Sequence, residues 1–259
     1  METLDYSVQT AILWGEMVKS AYSTYDANTR DTNPLTPQNL PDGWQVIANL
    51  QSDPVAGLFS QIQFVGYVVG SKTDATQIGI VFRGTDGIMD WLVDFEAKHA
   101  DFTDIPNGGR TEEGFTCMFR SLNLVAPGQT ETQTLDQFFQ TLQPSTSITV
   151  TGHSLGGALA NLTGAWIAAT YPQFALELYT FAAPMTGDKT FVATFNSLVT
   201  NNYRIYNKPD IVPKVPSKLL GYEQVGGGIE LNSLNFPNLP HSIGGYHSLD
   251  TYLYMLNQQ

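Results

Sequence analysis

Ile148-Thr149-Val150-Thr151-Gly152-His153-Ser154-Leu155-Gly156-Gly157 decides how the chain is to be read. Residues 148–151 alternate apolar and β-branched side chains, the pattern of a buried strand. Residues 155–169 read as a helix, because Leu155, Leu159, Leu162 and Trp166 recur at spacings of four, three and four. Between them lies Gly-His-Ser-Leu-Gly, a G-x-S-x-G. To lift a serine hydroxyl clear of a sheet, the chain must turn sharply from strand to helix. The serine then takes a strained backbone conformation, and the residues two before and two after it must lack a Cβ. Gly152 and Gly156 meet that demand. The helix start adds N–H groups and the positive end of its dipole, where a developing oxyanion can rest. The competing reading is a Ser-Gly turn with no chemistry. A strand on one side and a long helix on the other favour the nucleophile elbow.

Working outward, three further stretches bear on that elbow. Ile80-Val81-Phe82-Arg83-Gly84-Thr85 ends a predicted strand, 78–82, on a hydroxy residue. Tyr203-Arg204-Ile205-Tyr206-Asn207-Lys208-Pro209-Asp210-Ile211-Val212-Pro213 ends another strand on an aspartate within a turn closed by proline. His241-Ser242-Ile243-Gly244-Gly245-Tyr246-His247-Ser248 brings two histidines ahead of a final helix starting near Ser248. Together with Gly-His-Ser-Leu-Gly-Gly-Ala-Leu-Ala, these stretches resemble the class 3 lipases, the family of fungal triacylglycerol lipases, feruloyl esterases and their bacterial and plant relatives. The likeness covers roughly residues 75–255. It departs at Glu113, where the family usually has His before Gly-Phe, and at Ala182 and Met185, where Gly and Arg are usual.

The resemblance implies an α/β-hydrolase fold: a mixed, mostly parallel central sheet flanked by helices. It implies Ser154 as nucleophile, Asp210 as the acid and His247 as the base. The chain order Ser, Asp, His leaves His241 and His247, and the family places the base just before its last helix, which favours His247. Asp188 and Asp250 are rival acids. The oxyanion hole is expected from the Thr85 and Leu155 N–H groups. Each has a structural alternative: Thr85 as a strand-end cap, Asp210 as an Asx-turn residue, and either histidine as an ordinary hydrogen-bonded one. His153 is expected to point aside, and His99 lies before both elbow and acid.

Ile88, Trp91, Leu92 and Phe95 fall at i, i+3, i+4 and i+7, a short amphipathic helix. The resemblance implies a lid here; a permanently packed surface helix is the alternative. Residues 86–113 hold eight of the 24 acids and two of the 12 bases, so a site bordered by this segment has a negative mouth that repels anionic substrates.

The remaining elements are a helix at 10–25, with Ile12, Met17, Ala21 and Tyr22 on one side, strands at 44–47 and 64–69, and a helix from Glu112 that breaks at Pro127-Gly128. They continue with a helix at 135–142, a strand at 176–181, a helix from Asp188, and a bulged strand pair within 225–231. No repeat or linker divides the chain, so one domain, 1–259, is expected.

Composition sets the outer bounds. With 42% hydrophobic and 14% charged residues, the chain is no disordered protein. A net charge of −12 argues against nucleic acid and against tight docking on anionic membranes. The single cysteine, Cys117, allows no internal disulfide and is expected to be a buried small apolar residue. No run of about 18 apolar residues offers a membrane span. The start, Met-Glu-Thr-Leu-Asp-Tyr, is acidic and lacks a signal-peptide pattern. The expectation is a cytoplasmic protein if Met1 is native, and a secreted one if the chain starts at a mature N-terminus. The expected function is a monomeric serine hydrolase of acylglycerol esters at an oil–water interface, needing no metal and no cofactor. A carboxylesterase or feruloyl esterase on soluble esters, a phospholipase A1 and an inactive hydrolase-fold binding protein are the alternatives.

Overall fold

A computed structural model describes residues 6–53, 61–85 and 97–259. The chain runs α1 (Val8–Ala27), β1 (Trp44–Ser52), β2 (Gln63–Ser71), β3 (Gln77–Phe82), β4 (His99–Asp101), β5 (Arg110–Glu112), α2 (Glu113–Arg120), β6 (Asn123–Val125), β7 (Thr132–Thr134), α3 (Leu135–Phe139), β8 (Ser147–His153), α4 (Leu155–Thr170), β9 (Ala175–Phe181), β10 (Gly187–Asp188), α5 (Lys189–Leu198), β11 (Asn202–Asn207), β12 (Tyr222–Glu223), β13 (Gly228–Leu231), α6 (Ile243–His247) and α7 (Leu249–Leu256). Ile88, Trp91, Leu92 and Phe95, the expected lid positions, lie outside the described residues.

The main sheet has the order β13-β11-β9-β8-β3-β2-β1-β6-β7. From β13 to β3 the neighbours are parallel; from β3 to β7 they are antiparallel. In the antiparallel half, β2–β3 and β6–β7 are joined by connections of a few residues, which suit antiparallel neighbours, while β6 comes from farther along the chain to pair with β1. The parallel half needs crossover helices, and α4 supplies one between β8 and β9. Strand period then sorts the side chains. Ile78, Ile80 and Phe82 of β3 join a core with Ile148 and Val150 of β8 and with Leu155, Leu159 and Leu162 of α4. Val81 points the other way, into a core with Met17 and Val18 of α1, Phe181, and Leu253 of α7. Helices therefore cover both faces, as a sheet apolar on both sides requires.

The N-terminal helix starts where the Ser7 hydroxyl accepts from the Thr10 N–H at 3.2 Å. It buries Ala11, Trp14, Met17, Val18 and Ala21, while Ile12 and Tyr22 are only partly buried. A second sheet, β12-β10-β5-β4, stands beside the main one.

Three expectations need correction. The helix from Glu112 does not run to Pro127; α2 stops at Arg120, and Leu124 and Val125 belong to a strand whose residues pair with Leu50 and Asn49 of β1. Burial against the sheet overrides local helical preference there. The 225–231 segment is no bulged pair. Tyr222–Glu223 pairs with β10 in the small sheet, and Gly228–Leu231 runs parallel to β11. Between them Gly227 takes φ 71°, and a Cβ there would overlap the Asn202 carbonyl oxygen. Cys117 is exposed, because α2 turns Phe115, Thr116, Met118 and Phe119 inward instead.

Candidate active site

The elbow is built as its sterics require. Ser154, between β8 and α4, has φ 59° and ψ −127°, a conformation that costs a residue with a side chain roughly 1–3 kcal/mol. A Cβ on Gly152 would overlap the Gly156 carbonyl oxygen. One on Gly156 would meet the carbonyl oxygens of Arg83 at 2.5 Å and Phe82 at 2.6 Å. The two glycines thus let the turn close on itself and let α4 press against the end of β3. The Ser154 N–H donates to the Phe181 carbonyl at 2.9 Å, which carries the β8–β9 pairing through the strained residue. Ser154 is fully buried, and its hydroxyl has no hydrogen-bond partner among the described residues.

Two segments meet at the serine. Leu155 is the first residue of α4, where N–H groups have no intrahelical acceptor. Thr85 follows Gly84, whose added Cβ would come 3.0 Å from the Ser154 Cβ and 2.8 Å from the His153 carbonyl. The strand exit carrying Thr85 therefore runs directly past the serine. Arg83 pins that exit: its Nε donates to the Phe64 carbonyl at 2.9 Å and its Nη1 to the Gly84 carbonyl at 2.7 Å, while its guanidinium stacks 3.5 Å from the Tyr25 ring centre.

Asp210 follows β11 and is 1% exposed. Its two oxygens divide the work. Oδ1 accepts from the Val212 N–H at 3.0 Å, so the Asx-turn reading holds. Oδ2 accepts from His247 Nδ1 at 2.9 Å and from the Tyr252 hydroxyl at 2.8 Å. That hydroxyl in turn accepts from the Asn207 N–H at 2.9 Å. The Asn207 side chain donates to the Ser233 hydroxyl and to the Tyr246 carbonyl, tying β11 to α6, which ends at His247. With Nδ1–H on the carboxylate, the second ring nitrogen of His247 carries a lone pair. This Nε2 is buried and, like the serine hydroxyl, has no hydrogen-bond partner among the described residues. Ser154 and His247 are therefore not hydrogen-bonded to each other, although His153, next to the serine, touches His247. Its Nε2 lies 2.8 Å from the His247 carbonyl, and the ring centres are 4.7 Å apart.

The rivals fall elsewhere. His241 is exposed, with Nε2 3.4 Å from the Phe236 carbonyl. His99 on β4 stacks on Tyr222 with ring centres 4.2 Å apart. Asp188 caps α5 through the Phe191 N–H at 2.9 Å and pairs with Arg110. Asp250 is exposed and pairs with Lys19 at 2.7 Å. His153 does not point aside as expected: it is 5% exposed and wedged between Tyr22 and His247. Sequence reasoning also missed Tyr252, Asn207 and Tyr22. A tyrosine one turn into the last helix, on a face that must be buried, carries a hydroxyl that needs a partner, and that was the available signal for Tyr252.

Residues 79–220 match the family model described as Lipase (class 3). The chloroplastic phospholipase A(1) DAD1 of Arabidopsis thaliana is 24% identical, over 99% of this chain and 73% of that protein. A lipase of Rhizopus niveus is 29% identical over 62% of this chain, but only 40% of its own length is matched. The crystal structure of a lipase from Rhizopus microsporus var. chinensis superposes with a TM-score of 0.64 at 22% identity, covering 87% of this chain and 74% of that one. The shared architecture is the α/β-hydrolase fold.

Proposed function

The chain belongs to the class 3 lipase family, and from that premise we propose that it hydrolyses carboxylic esters of acylglycerols with Ser154, His247 and Asp210 as its catalytic residues. The observation that carries this reading is the buried Asp210–His247 pair together with a strained serine whose hydroxyl has no hydrogen-bond partner among the described residues. His247 Nε2 takes the proton of Ser154 as Oγ attacks the ester carbonyl. The electron pair displaced to the carbonyl oxygen is held by the N–H groups of Thr85 and Leu155. Asp210 stabilises the imidazolium, which then protonates the departing alcohol. Water, deprotonated by His247, attacks the acyl-serine and releases the acid. The serine–imidazole hydrogen bond forms in this scheme when substrate aligns the groups, since such contacts are often long in empty sites.

A second reading, phospholipase A1, is supported by the DAD1 likeness extending over 99% of this chain. Ser154→Ala is expected to lower kcat by about 10⁴-fold or more. A fluorophosphonate probe should label the native protein and not this variant. Retention of a tenth of the activity by Ser154→Ala overturns the assignment. Rates on emulsified tributyrin, on phosphatidylcholine and on a soluble aryl ester separate the two lipid substrates from a plain esterase.

A further inference from the structure

The elbow carries a second imidazole that the reaction scheme does not use. His153 Nε2 lies 2.8 Å from the main-chain carbonyl of His247. A carbonyl only accepts, so Nε2 bears the hydrogen. Nδ1, 2.9 Å from the Tyr22 hydroxyl, then accepts from it. The tautomer of His153 is thus set by the His247 carbonyl, and a residue of the N-terminal helix, 131 positions away, completes the ring's hydrogen bonding as donor to Nδ1. Gly84 leaves room for that hydroxyl, since a Cβ there would overlap it. Burial, and next the charge that His247 can carry, hold the His153 imidazole well below the usual histidine range. The ring is therefore a neutral donor-acceptor link and not a second base.

We propose that His153 is a positioning residue for His247: its Nε2–H anchors the main chain of the base, and the Tyr22 hydroxyl, donating to Nδ1, holds the ring in the orientation that makes this anchoring possible. The proposal rests on the assignment of His247 as base. Asp210 holds the side chain of His247 at Nδ1, and His153 holds its backbone from the opposite side, so Nε2 is aimed from two points. One of those points is the residue adjoining the nucleophile. Any shift of the elbow then carries the base with it, and the separation between Ser154 and His247 is protected.

The test compares His153→Leu, His153→Gln and Tyr22→Phe in the full chain on a soluble p-nitrophenyl ester, with thermal unfolding measured alongside. His153→Leu should lower kcat by about ten- to hundredfold with KM changed less than about twofold, as for a misplaced catalytic group. His153→Gln, which retains an N–H of similar reach, should recover most of the loss. Tyr22→Phe should lower kcat about threefold to tenfold, again with little change in KM. A kcat within about twofold of native in both His153→Leu and Tyr22→Phe overturns the proposal. So does equal loss in the Gln and Leu variants, which would mark a packing role alone. If His153→Leu does not fold, the Gln and Tyr22→Phe variants decide by the same criteria. Nitrogen-15 spectra of the imidazoles give a readout independent of turnover: His153 should be a neutral Nε2–H tautomer in the native protein, and in Tyr22→Phe it should keep Nε2–H while the Nδ1 resonance shifts with the loss of its hydrogen-bond donor. Any other native tautomer overturns the proposal even if the enzyme is active. Absence of fluorophosphonate labelling in the native protein would instead strike the assignment of the reaction.

Discussion

The two ends of the candidate site are built on opposite terms. At the acid end every polar atom is accounted for: Asp210 accepts three hydrogen bonds, Tyr252 both donates and accepts, and Asn207 ties β11 to α6. At the nucleophile end the Ser154 hydroxyl and His247 Nε2 are both buried and unpartnered among the described residues, and the serine backbone is strained. Unsatisfied buried polar atoms and positive φ each cost on the order of 1–3 kcal/mol. The acid end is a rigid network whose bonds are complete before any substrate arrives. The nucleophile end keeps its bonding capacity for a substrate carbonyl. The difference teaches that stability and reactivity are assigned here to different atoms of one constellation, joined by the imidazole of His247.

The sharpest way to break that contrast is at the carboxylate. Asp210→Asn leaves the volume unchanged but replaces one acceptor oxygen by an amide that donates. With the amide nitrogen in the Oδ2 place, both His247 Nδ1–H and the Tyr252 hydroxyl face a donor; in the Oδ1 place, the Val212 N–H does. We expect kcat to fall by about 10³–10⁴-fold with a modest change in Tm. A loss below about tenfold would show that the acid end is structural only.

A steric break at the other end should act on folding first. In Gly156→Ala the new Cβ meets two carbonyl oxygens of the β3 exit, neither able to move without displacing Arg83 and Gly84. The expected destabilisation is about 3 kcal/mol, read by denaturant unfolding. An Ala variant as stable as the native chain would mean that the elbow has more slack than the geometry allows.

This is also why the elbow was legible in the sequence and its surroundings were not. The demand for Gly152 and Gly156 is local: it follows from bond geometry within five residues, flanked by a strand and a helix of ordinary periodicity. Asp210 and His247, 37 residues apart, were placed by motif order and resemblance, since no local rule joins them. Tyr252, Tyr22 and the inward His153 depend on which faces of α1 and α7 meet the elbow, and periodicity fixes a face without naming its contacts. The strand 123–125 was hidden because three residues of strand carry too little pattern to end a predicted helix.

Tyr252→Phe separates the two duties of the acid end. The variant removes one donor from Asp210 Oδ2 and strands the buried Asn207 N–H. Stability should drop by about 1–2 kcal/mol. A kcat loss of about tenfold is expected if the hydroxyl also steadies the carboxylate against His247. Loss of stability with unchanged kcat would confine Tyr252 to the scaffold.

The smallest effect expected lies outside both ends, at Glu112 on β5. Burial pushes this carboxyl up to about 7, although the Phe115 N–H that it caps pulls the other way. The sign follows from linkage. Below the ordinary value of 4.5 both folded and unfolded chains keep the proton, and the site costs nothing. From there to about 7 the unfolded chain ionises while the folded one does not, so stability falls as pH rises and levels off above that point. Glu112→Gln keeps an oxygen to cap α2 and removes the ionisation. At pH 8 it should be more stable than the native chain by about 1 kcal/mol, a rise in Tm of about 2–4 °C. At about pH 3.5 the two should unfold together, because the carboxyl is then neutral in the folded and the unfolded chain alike. A gain of equal size at both pH values would assign the effect to packing. No gain at either would mean that the helix cap offsets the cost of burying the charge, and that this edge of the small sheet, like the acid end and unlike the serine, is electrostatically satisfied.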